Sequence, residues 1–322
     1  MTKHKRIAYI PQDAKFNPYV KNMHKILRTL GELDTKPTTA KIIFRVKYYD
    51  FFIINWVENS IITKCGKISF IKYIKLLLKI LIWKMSTNNL INIEHNVYPH
   101  NLIASQRKLY SRLNKINKFI YDINISHINF QKNCILPHPL YTINTSGTES
   151  DEVHDYFLTF GRIEPYKNLE DLISIFNTTG KNLKIFGMCA DSGYFERLIS
   201  SKKENITLVN EFLPEEKLSR LVNSCKAVII PSNSGSMILS GTLMYALSFN
   251  KEVIVRSNEF NLSFLERFPE LPIHLFETNS QLLDIVSKFT TNKKNYSFEE
   301  FRTTHSDENI TTTLLTIVGN KS

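Results

Sequence analysis

Short apolar runs alternate with amphipathic segments along most of the chain, and this alternation constrains the fold more than any other feature of the sequence. In the first half the predicted strands are RIAYI, KIIFRV, DFFIINWV, LINIEHN, INISHI and NCILPHP. PYVKNMHKILRTL carries apolar residues at helical spacing and stops at Gly31, and IASQRKLYSRLNKINKFI predicts another helix. Repeated strand–helix–strand order predicts parallel βαβ units.

The alternation starts again after a polar stretch, residues 141–155, whose composition is typical of an interdomain linker. The later predicted strands are YFLTF, LKIFG, NITLV, AVIIP and EVIVR, and residues 298–318 predict a helix with an interruption. A chain of 322 residues exceeds the usual size of one core. We therefore predict an α/β fold of two tandem doubly wound, Rossmann-like domains that face each other across a cleft. The predicted parts are an N-terminal domain at 1–148, a C-terminal domain at 149–300, and a final helix at 301–322 that packs back on the N-terminal domain.

Charge is distributed unevenly between the two halves. The net charge of +11 divides into +16 for residues 1–148 and −5 for the remainder. Nucleic acid and anionic lipid would both suit a basic first half. The sequence has no recognition helix, zinc spacing or aromatic nucleic-acid motif, so nucleic acid is not an expected partner. Four widely separated cysteines and the absence of a signal-peptide pattern indicate a reduced, cytoplasmic protein.

Two cations lie five residues apart where a predicted buried strand gives way to a helix, in FLTFGRIEPYKNLEDLI. Gly161 permits a sharp turn at the strand end, so Arg162 is expected at the carboxyl edge of the sheet. Lys167 is expected to open the following helix. A guanidinium and an ammonium both suit phosphate oxygens. The alternative is a solvated loop with two ordinary surface cations.

A second loop of the same half has the composition of an anion site. In AVIIPSNSGSMILSGTLMYALSFNKEVIV a strand leads through small polar residues to a helix, with Ser240, Gly241 and Thr242 near its start. Exposed N–H groups at a helix start attract anions. No G-x-G-x-x-G fingerprint, Walker loop or D-x-D motif occurs, so neither a bound cofactor nor a metal ion is predicted.

The order of GRIEPYKNLEDLI, LKIFG, VNEFLPEEKLSRLVNSCKAVIIPS and SGTLMYALSFNKEVIV resembles the donor half of GT-B glycosyltransferases of the bacterial polysaccharide and O-antigen type, similar to family 4. The resemblance extends over residues 156–256. It implies that Arg162 and Lys167 are catalytic and bind the pyrophosphate of a UDP- or GDP-linked sugar. It further implies donor-binding roles for residues beside the nucleobase and at the phosphate-side helix start: Glu211, Phe212, Leu213, Ser240, Gly241 and Thr242.

One position pair departs from that family's pattern. Many retaining members carry two glutamates in the loop and helix after the PS turn, where this chain has Met237 and Tyr245. Neither side chain can replace a carboxylate. The sequence is similar to the subset with Ser-Gly in that helix, and it leaves the anomeric outcome, the donor sugar and the ribose contact open.

The first half offers a histidine after a strand. His95 in IEHNVYPHN is expected at the strand's carboxyl end, where an imidazole can hydrogen-bond a sugar or relay a proton from an acceptor hydroxyl. The alternative is a structural histidine bonded to a backbone carbonyl. The HN-x-x-PH pattern also resembles the acceptor half of the same transferases. That resemblance implies acceptor-side roles for Asn17, Tyr19, Asn96 and His138, although helix capping alone would explain Asn17.

The stretch KISFIKYIKLLLKILIWKM, residues 67–85, is basic and apolar. Lys72, Lys75 and Lys79 fall at helical spacing and share one face. Lysines interrupt every apolar run, so the segment is not a membrane span. We expect residues 64–84 to lie at an anionic membrane surface, with a core helix that has a solvated lysine edge as the alternative.

Together these features predict a metal-independent hexosyltransferase, peripheral at the cytoplasmic face of the cell membrane. It would move sugar from a nucleotide-diphosphate donor to a glycan or lipid-linked acceptor in surface polysaccharide synthesis. A non-enzymatic protein that binds a membrane surface or nucleic acid is the alternative.

Overall fold

The computed structural model describes residues 4–12, 17–38, 42–43, 46–131, 133–142, 154–232, 235–290 and 296–320. The chain divides into two compact units, which are described separately below. Unit 1 is formed by Met1–Leu140, Ser236–Leu239 and Arg302–Ser322. Unit 2 is formed by Tyr141–Gly235 and Ser240–Phe301.

Unit 1 is built on a six-stranded parallel sheet in the order β2-β1-β3-β4-β5-β6. Its central strands are apolar on both faces, as expected for a parallel sheet covered by helices on each side. The order reverses between β1 and β3, which makes that edge the topological switch point of the sheet. The strands are β1 (Lys5–Ile10), β2 (Gly31–Asp34), β3 (Tyr49–Asn55), β4 (Thr87–Glu94), β5 (Ile123–Ser126) and β6 (Cys134–Ile135).

The helices between these strands follow the amphipathic segments of the sequence. They are α1 (Pro18–Leu30), α2 (Phe70–Ser86) and α3 (Arg107–Ile120), with 3₁₀ turns at Val57–Ile61 and Ala104–Gln106. Asn17 caps α1 and Ser69 caps α2, each accepting a backbone N–H of the first turn. α1 runs directly into β2 at Gly31, where a side chain would collide with the Lys5 backbone.

The chain's last helix belongs to unit 1. After α10 (Glu299–Thr304) and a break at His305 and Ser306, α11 (Asp307–Gly319) packs against α1. Its apolar side is buried in the same core as α1, and Lys25 pairs with Asp307 at 2.7 Å. This core contains Ile310, Leu314 and Val318.

Unit 2 repeats the design with a second six-stranded parallel sheet, in the order β12-β11-β10-β7-β8-β9. Its switch point lies between β7 and β10. The strands are β7 (Phe157–Phe160), β8 (Leu183–Phe186), β9 (Ile206–Val209), β10 (Val228–Ile230), β11 (Val253–Arg256) and β12 (Ile273–Phe276). The helices are α4 (Leu169–Thr179), α5 (Ser192–Ser201), α6 (Glu215–Ser224), α7 (Gly241–Ser248), α8 (Glu259–Arg267) and α9 (Asn279–Lys288), with a 3₁₀ turn at Pro165–Lys167.

The predicted α/β fold class with two doubly wound sheets is confirmed. The predicted strand KIIFRV is wrong: Ile42 and Ile43 lie in a helical turn, and of the described residues 42, 43 and 46 only Ile42 is buried. Residues 41, 44 and 45 lie outside the described residues. The short strands β2 and β12 were not predicted. The predicted linker lies largely outside the described residues, since 143–153 are not described.

None of the helices in the described part of the chain is both long enough and apolar enough to cross a bilayer.

The packing of α11 can be tested with two neighbouring leucines. Leu314→Ala removes a fully buried side chain, so we expect the free energy of unfolding to fall by about 2–5 kcal/mol. Leu315 is 37% exposed, so the matched Leu315→Ala should cost under about 1 kcal/mol. Urea denaturation followed by circular dichroism measures both. Equal losses in the two variants would contradict the placement of α11.

Candidate functional site

Two glycines bring the ends of β7 and β8 close together in unit 2. Gly161 directly follows β7 and has a φ of 108°, a conformation that side chains disfavour. A Cβ atom on Gly187, which follows β8, would collide with the Gly161 carbonyl oxygen. The Gly161 N–H donates to the Phe186 carbonyl at 3.1 Å, which fixes the turn. The backbone at the switch-point edge of this sheet is therefore bare of side chains.

Lys167 and Thr242 converge on that bare backbone. A Cβ placed on Gly161 would lie 3.9 Å from Lys167 Nζ and 3.8 Å from Thr242 Oγ1. An ammonium and a hydroxyl from two separate loops thus border the same small space. We call Gly161, Lys167 and Thr242 the glycine cradle.

Lys167 lies in the 3₁₀ turn at Pro165–Lys167 and does not open the helix, which begins at Leu169. The chain passes through Asn168 in a left-handed conformation, φ 54°, before α4 starts. Lys167 is half-buried, with Nζ 5.6 Å from the centroid of the Tyr166 ring. Burial lowers the pKa of Lys167 to about 8, and the charge of Glu164 opposes part of that change.

Arg162 follows the turn and is 72% exposed. Its Nη2 lies 2.7 Å from Glu164 Oε1, so the guanidinium is engaged by a carboxylate two residues away. An ion pair this exposed is weak, which leaves Arg162 able to exchange Glu164 for another anion.

The first turn of α7 contributes Thr242 to the glycine cradle. Ser240 is buried and its Oγ accepts the Leu243 N–H at 3.4 Å, which makes it the N-cap. A Cβ on Gly241 would lie 3.3 Å from the Tyr141 hydroxyl, so this helix start is also closely packed. Its first N–H groups and the Lys167 ammonium provide positive potential around Thr242.

The segment 211–213 lies after β9. Glu211 Oε1 pairs with Lys217 Nζ at 2.5 Å, while Leu213 is buried and Phe212 is about half exposed. The carboxylate of Glu211 is therefore engaged within its own loop, and Phe212 presents apolar surface.

In unit 1, four aromatic rings pack around Tyr19, those of Trp56, His95, His127 and His138. We call these five residues the histidine cluster. The His95 ring stacks on Trp56 with centroids 4.0 Å apart, and it lies edge-on to Tyr19 at 4.8 Å. His127 lies 5.0 Å from both His95 and His138. The sequence analysis predicted three members of this histidine cluster and missed Trp56 and His127. Both missed residues follow the carboxyl ends of strands β3 and β5, the position at which α/β sheets bind ligands.

The protonation of His95 follows from its hydrogen bonds. Asn55 Nδ2 donates to the Ile10 carbonyl at 2.9 Å, so Asn55 Oδ1 faces His95 Nε2, also at 2.9 Å. A neutral His95 must then carry its proton on Nε2 and leave the Nδ1 lone pair as a base. Burial lowers the pKa of His95 well below its ordinary value, with His127 and His138 acting in the same direction.

His127 and His138 are bonded to the backbone instead. Their Nδ1 atoms approach the carbonyls of Leu136 at 2.8 Å and Pro139 at 2.7 Å. His305 in turn bonds the His138 carbonyl at 2.8 Å. Burial lowers the pKa of His127 to about 4 and holds that of His138 well below its ordinary value. Both are buried structural partners of His95 in the histidine cluster.

The asparagines expected on the acceptor side have structural partners. Asn17 Oδ1 accepts the Tyr19 N–H at 3.1 Å as the cap of α1. Asn96 forms an antiparallel bridge with Met237, and the Ile238 N–H donates to the His95 carbonyl at 3.0 Å. The short segment 236–239 therefore fixes the backbone around His95.

No group of three or more histidine, cysteine or carboxylate side chains arranged to hold a metal ion is found among the described residues.

Several solved structures similar to this chain are glycosyltransferases. The chain is similar to Anabaena Alr3699/HepE in complex with UDP and glucose, at 11% identity and a TM-score of 0.72, over 98% of this chain and 100% of that one. It is also similar to AviGT4, a glycosyltransferase involved in avilamycin A biosynthesis, at 12% identity and a TM-score of 0.59, over 98% of this chain and 97% of that one. A UDP-forming α,α-trehalose-phosphate synthase from Burkholderia xenovorans is similar at 9% identity and a TM-score of 0.57, over 94% of this chain and 79% of that one. The two doubly wound units thus have the GT-B fold.

No family model matches the sequence, and no curated protein matches it.

Burial of His127 makes a prediction about acid stability. Its folded-state pKa of about 4 lies below the ordinary 6.5, so the unfolded chain binds more protons between those values. Stability should therefore fall as pH drops from 6.5 towards 4. We expect His127→Asn, whose amide can donate to the Leu136 carbonyl, to show a smaller loss of melting temperature between pH 7 and pH 5.

The exposed His154 supplies the control for that experiment. His154→Asn should leave the pH dependence of the melting temperature unchanged. A wild-type pH profile for His127→Asn would show that His127 is not buried as a neutral ring.

Proposed function

We propose that the protein is a glycosyltransferase that moves a hexose from a nucleotide-diphosphate donor to a hydroxyl of a glycan or lipid-linked acceptor. The observation that carries the proposal is the glycine cradle, where Lys167 Nζ and Thr242 Oγ1 border bare backbone at the switch point of unit 2. Open α/β sheets bind ligands at this position. A half-buried ammonium beside a helix start suits a diphosphate.

The comparisons support a nucleotide-sugar donor. HepE was solved with UDP, with UDP and glucose, and with UDP-glucose, and it has the same fold over the whole chain. We propose a UDP- or GDP-linked sugar for the present chain, with the nucleobase beside Phe212 and Leu213. The contribution of Glu211 would come from its backbone, since its carboxylate pairs with Lys217.

Catalysis in this proposal is electrostatic. As the sugar leaves, negative charge grows on the departing diphosphate. Lys167 and the start of α7 would stabilise that charge from fixed positions, and Arg162 would leave Glu164 to add its guanidinium. Protein cations would then neutralise the leaving group without a metal ion.

We propose that the acceptor hydroxyl binds at unit 1. His95 would take its proton on Nδ1, because Asn55 holds the proton of the ring on Nε2. The depressed pKa keeps the ring neutral at physiological pH, and only a neutral ring can act as a base. Tyr19, Asn96 and His138 would position this ring, and Asn17 would position α1.

The setting we propose is surface polysaccharide or O-antigen synthesis at the cytoplasmic face of the membrane. The support is helix α2, whose large apolar side chains lie exposed beside lysines. An amphipathic surface of this kind suits the interface of an anionic bilayer. The exposed apolar side chains are Phe70, Ile71, Ile74, Leu78, Leu81 and Met85.

The donor site can be tested by removing each cation. Lys167→Ala should reduce the rate of sugar transfer about 100-fold or more, because a half-buried charge beside the leaving group is lost. Arg162→Ala should cost about 10-fold, since the arginine is exposed and already paired. The measurement is transfer or hydrolysis of UDP- and GDP-sugars followed by product analysis.

Arg220 provides a matched control, because it is also an exposed arginine of unit 2 paired with a glutamate, Glu216, at 3.2 Å. Arg220→Ala should retain wild-type activity. Full activity in both Lys167→Ala and Arg162→Ala would eliminate the proposed mechanism.

The pKa of Lys167 predicts how nucleotide affinity depends on pH. A diphosphate binds the protonated ammonium, so affinity for UDP should fall about tenfold per pH unit once the pH exceeds about 8. Lys167→Arg stays protonated and should show a flatter profile, and ionisation of uridine is common to both proteins. Calorimetric titration between pH 7 and 9 measures the two slopes, and identical slopes would place Lys167 outside the diphosphate site.

A further inference from the structure

A cavity of about 560 Å³ lies in unit 1 and is distinct from the glycine cradle. It opens at the switch point, between Ile10 at the end of β1 and Asn55 at the end of β3. Helix α2 forms its other wall. Three lysines of that helix line it: Lys72, Lys75 and Lys79. The sequence analysis had placed these lysines at a membrane surface.

The spacing of the lysines suits one compact polyanion. On an α-helix they lie within about 60° of each other around the axis, with rises of about 4.5 Å and 6 Å between successive members. Ammonium groups on flexible stems at this spacing can reach the oxygens of a single phosphate or diphosphate. A solvated lysine edge would not need a concave wall opposite it.

Among the described residues that line the cavity, the three lysines are the only charged side chains. Its described lining residues include no aspartate or glutamate. Lys72 Nζ donates to the Ile62 carbonyl at 3.1 Å, and among the described residues none of the three lysines forms an ion pair. A cluster of like charges without counter-ions attracts an anion from solution.

The cavity is connected to the histidine cluster by two residues. Trp56 lines it and also stacks on His95, and Asn55 lines it and hydrogen-bonds the same ring. Trp56 is held at φ 51°, a left-handed conformation that is an outlier for a bulky residue and is found at functional sites. A ligand in the cavity would therefore contact the residues that orient His95.

An apolar stripe runs along α2 next to the lysines. Ile71, Ile74 and Leu78 recur every three or four residues, and Ile71 is 70% exposed. The helix thus has a buried face, a lysine face on the cavity and an exposed apolar face. A phosphate that carries a hydrocarbon chain would match the second and third faces together.

We propose that this cavity binds the phosphate or diphosphate group of the acceptor. The inference rests on the proposed glycosyltransferase function. It specifies the acceptor class as a sugar linked to phosphate. Lys72, Lys75 and Lys79 hold the anion, Trp56 faces the adjoining sugar, and a lipid carrier, where present, lies along the stripe of α2.

The tryptophans allow a direct binding test. The chain contains two, Trp56 and Trp83, and both line the cavity. Titration with inorganic pyrophosphate and with geranyl diphosphate should therefore change the intrinsic tryptophan fluorescence of the full chain. Substituting all three lysines by glutamine should weaken this binding at least tenfold, and the Lys→Arg triple variant should retain it.

Helix α3 supplies a control with the same loss of charge. Lys108, Arg112 and Lys115 are exposed and have nearly the same spacing, so their triple glutamine variant should bind as wild type does. Melting temperatures check that each variant is folded. Equal binding of both probes supports a phosphate site that needs no lipid, and preference for geranyl diphosphate supports a lipid-borne acceptor.

Two results would overturn the proposal. One is a fluorescence response that is missing or survives loss of the three lysines. The other is a response to phosphatidylglycerol vesicles alone, which would assign the lysines to a bilayer surface. The Arg162→Ala/Lys167→Ala double variant should keep the fluorescence response. The cavity proposal and the donor-site proposal can therefore be tested, and can fail, independently of each other.

Discussion

The desolvated ammonium of Lys167 is the constraint on which the proposed donor site depends. Removing a charge from water is costly, and the lowered pKa of about 8 reports that cost. The charge of Glu164 opposes this change, and the same carboxylate engages the exposed Arg162. An anion at the glycine cradle would restore the missing solvation and release Arg162 at the same time. Two glycines make this arrangement possible, because a Cβ at 187 would collide with the Gly161 carbonyl oxygen and a side chain at 161 would extend towards Lys167 and Thr242.

Burial acts in the same direction in unit 1, where it lowers the pKa of His95, His127 and His138. Desolvation keeps these histidines neutral. Beside His95, the rings of His127 and His138 are hydrogen-bonded to the backbone carbonyls of Leu136 and Pro139. Asn55 is the decisive neighbour, because its bond to the Ile10 carbonyl orients the amide and thereby selects the His95 tautomer. In the proposed mechanism, the lysine-lined cavity next to this neutral base separates two tasks: the lysines would hold an anion, and the imidazole would accept a proton.

Sequence patterns predicted the sheets because buried parallel strands are continuous apolar runs, and strand ends then located Arg162, Lys167 and His95. The strand GELD was not predicted because it is short and polar. KIIFRV was wrongly predicted as a strand because its apolar residues do not share one environment: Ile42 is buried, whereas Ile43 and Val46 are exposed. Asn55 and Trp56 lie at the end of a strand that the sequence predicted. Their importance was not visible in the sequence, because it comes from contacts with His95, about forty residues away. The pairing of Arg162 with Glu164 likewise depends on a backbone turn that residue spacing does not specify.

Helix α2 shows why one-dimensional periodicity could not assign the lysines. The sequence reveals a lysine face and an apolar remainder, but it cannot divide that remainder into the buried Tyr73, Leu76 and Ile80 and the exposed apolar stripe. Once the buried face is fixed against the sheet, the lysine face is fixed as well, and it lines the cavity at the switch point. The stripe is then left on the outer side. Packing of the apolar residues therefore decides which ligand the charged residues can meet.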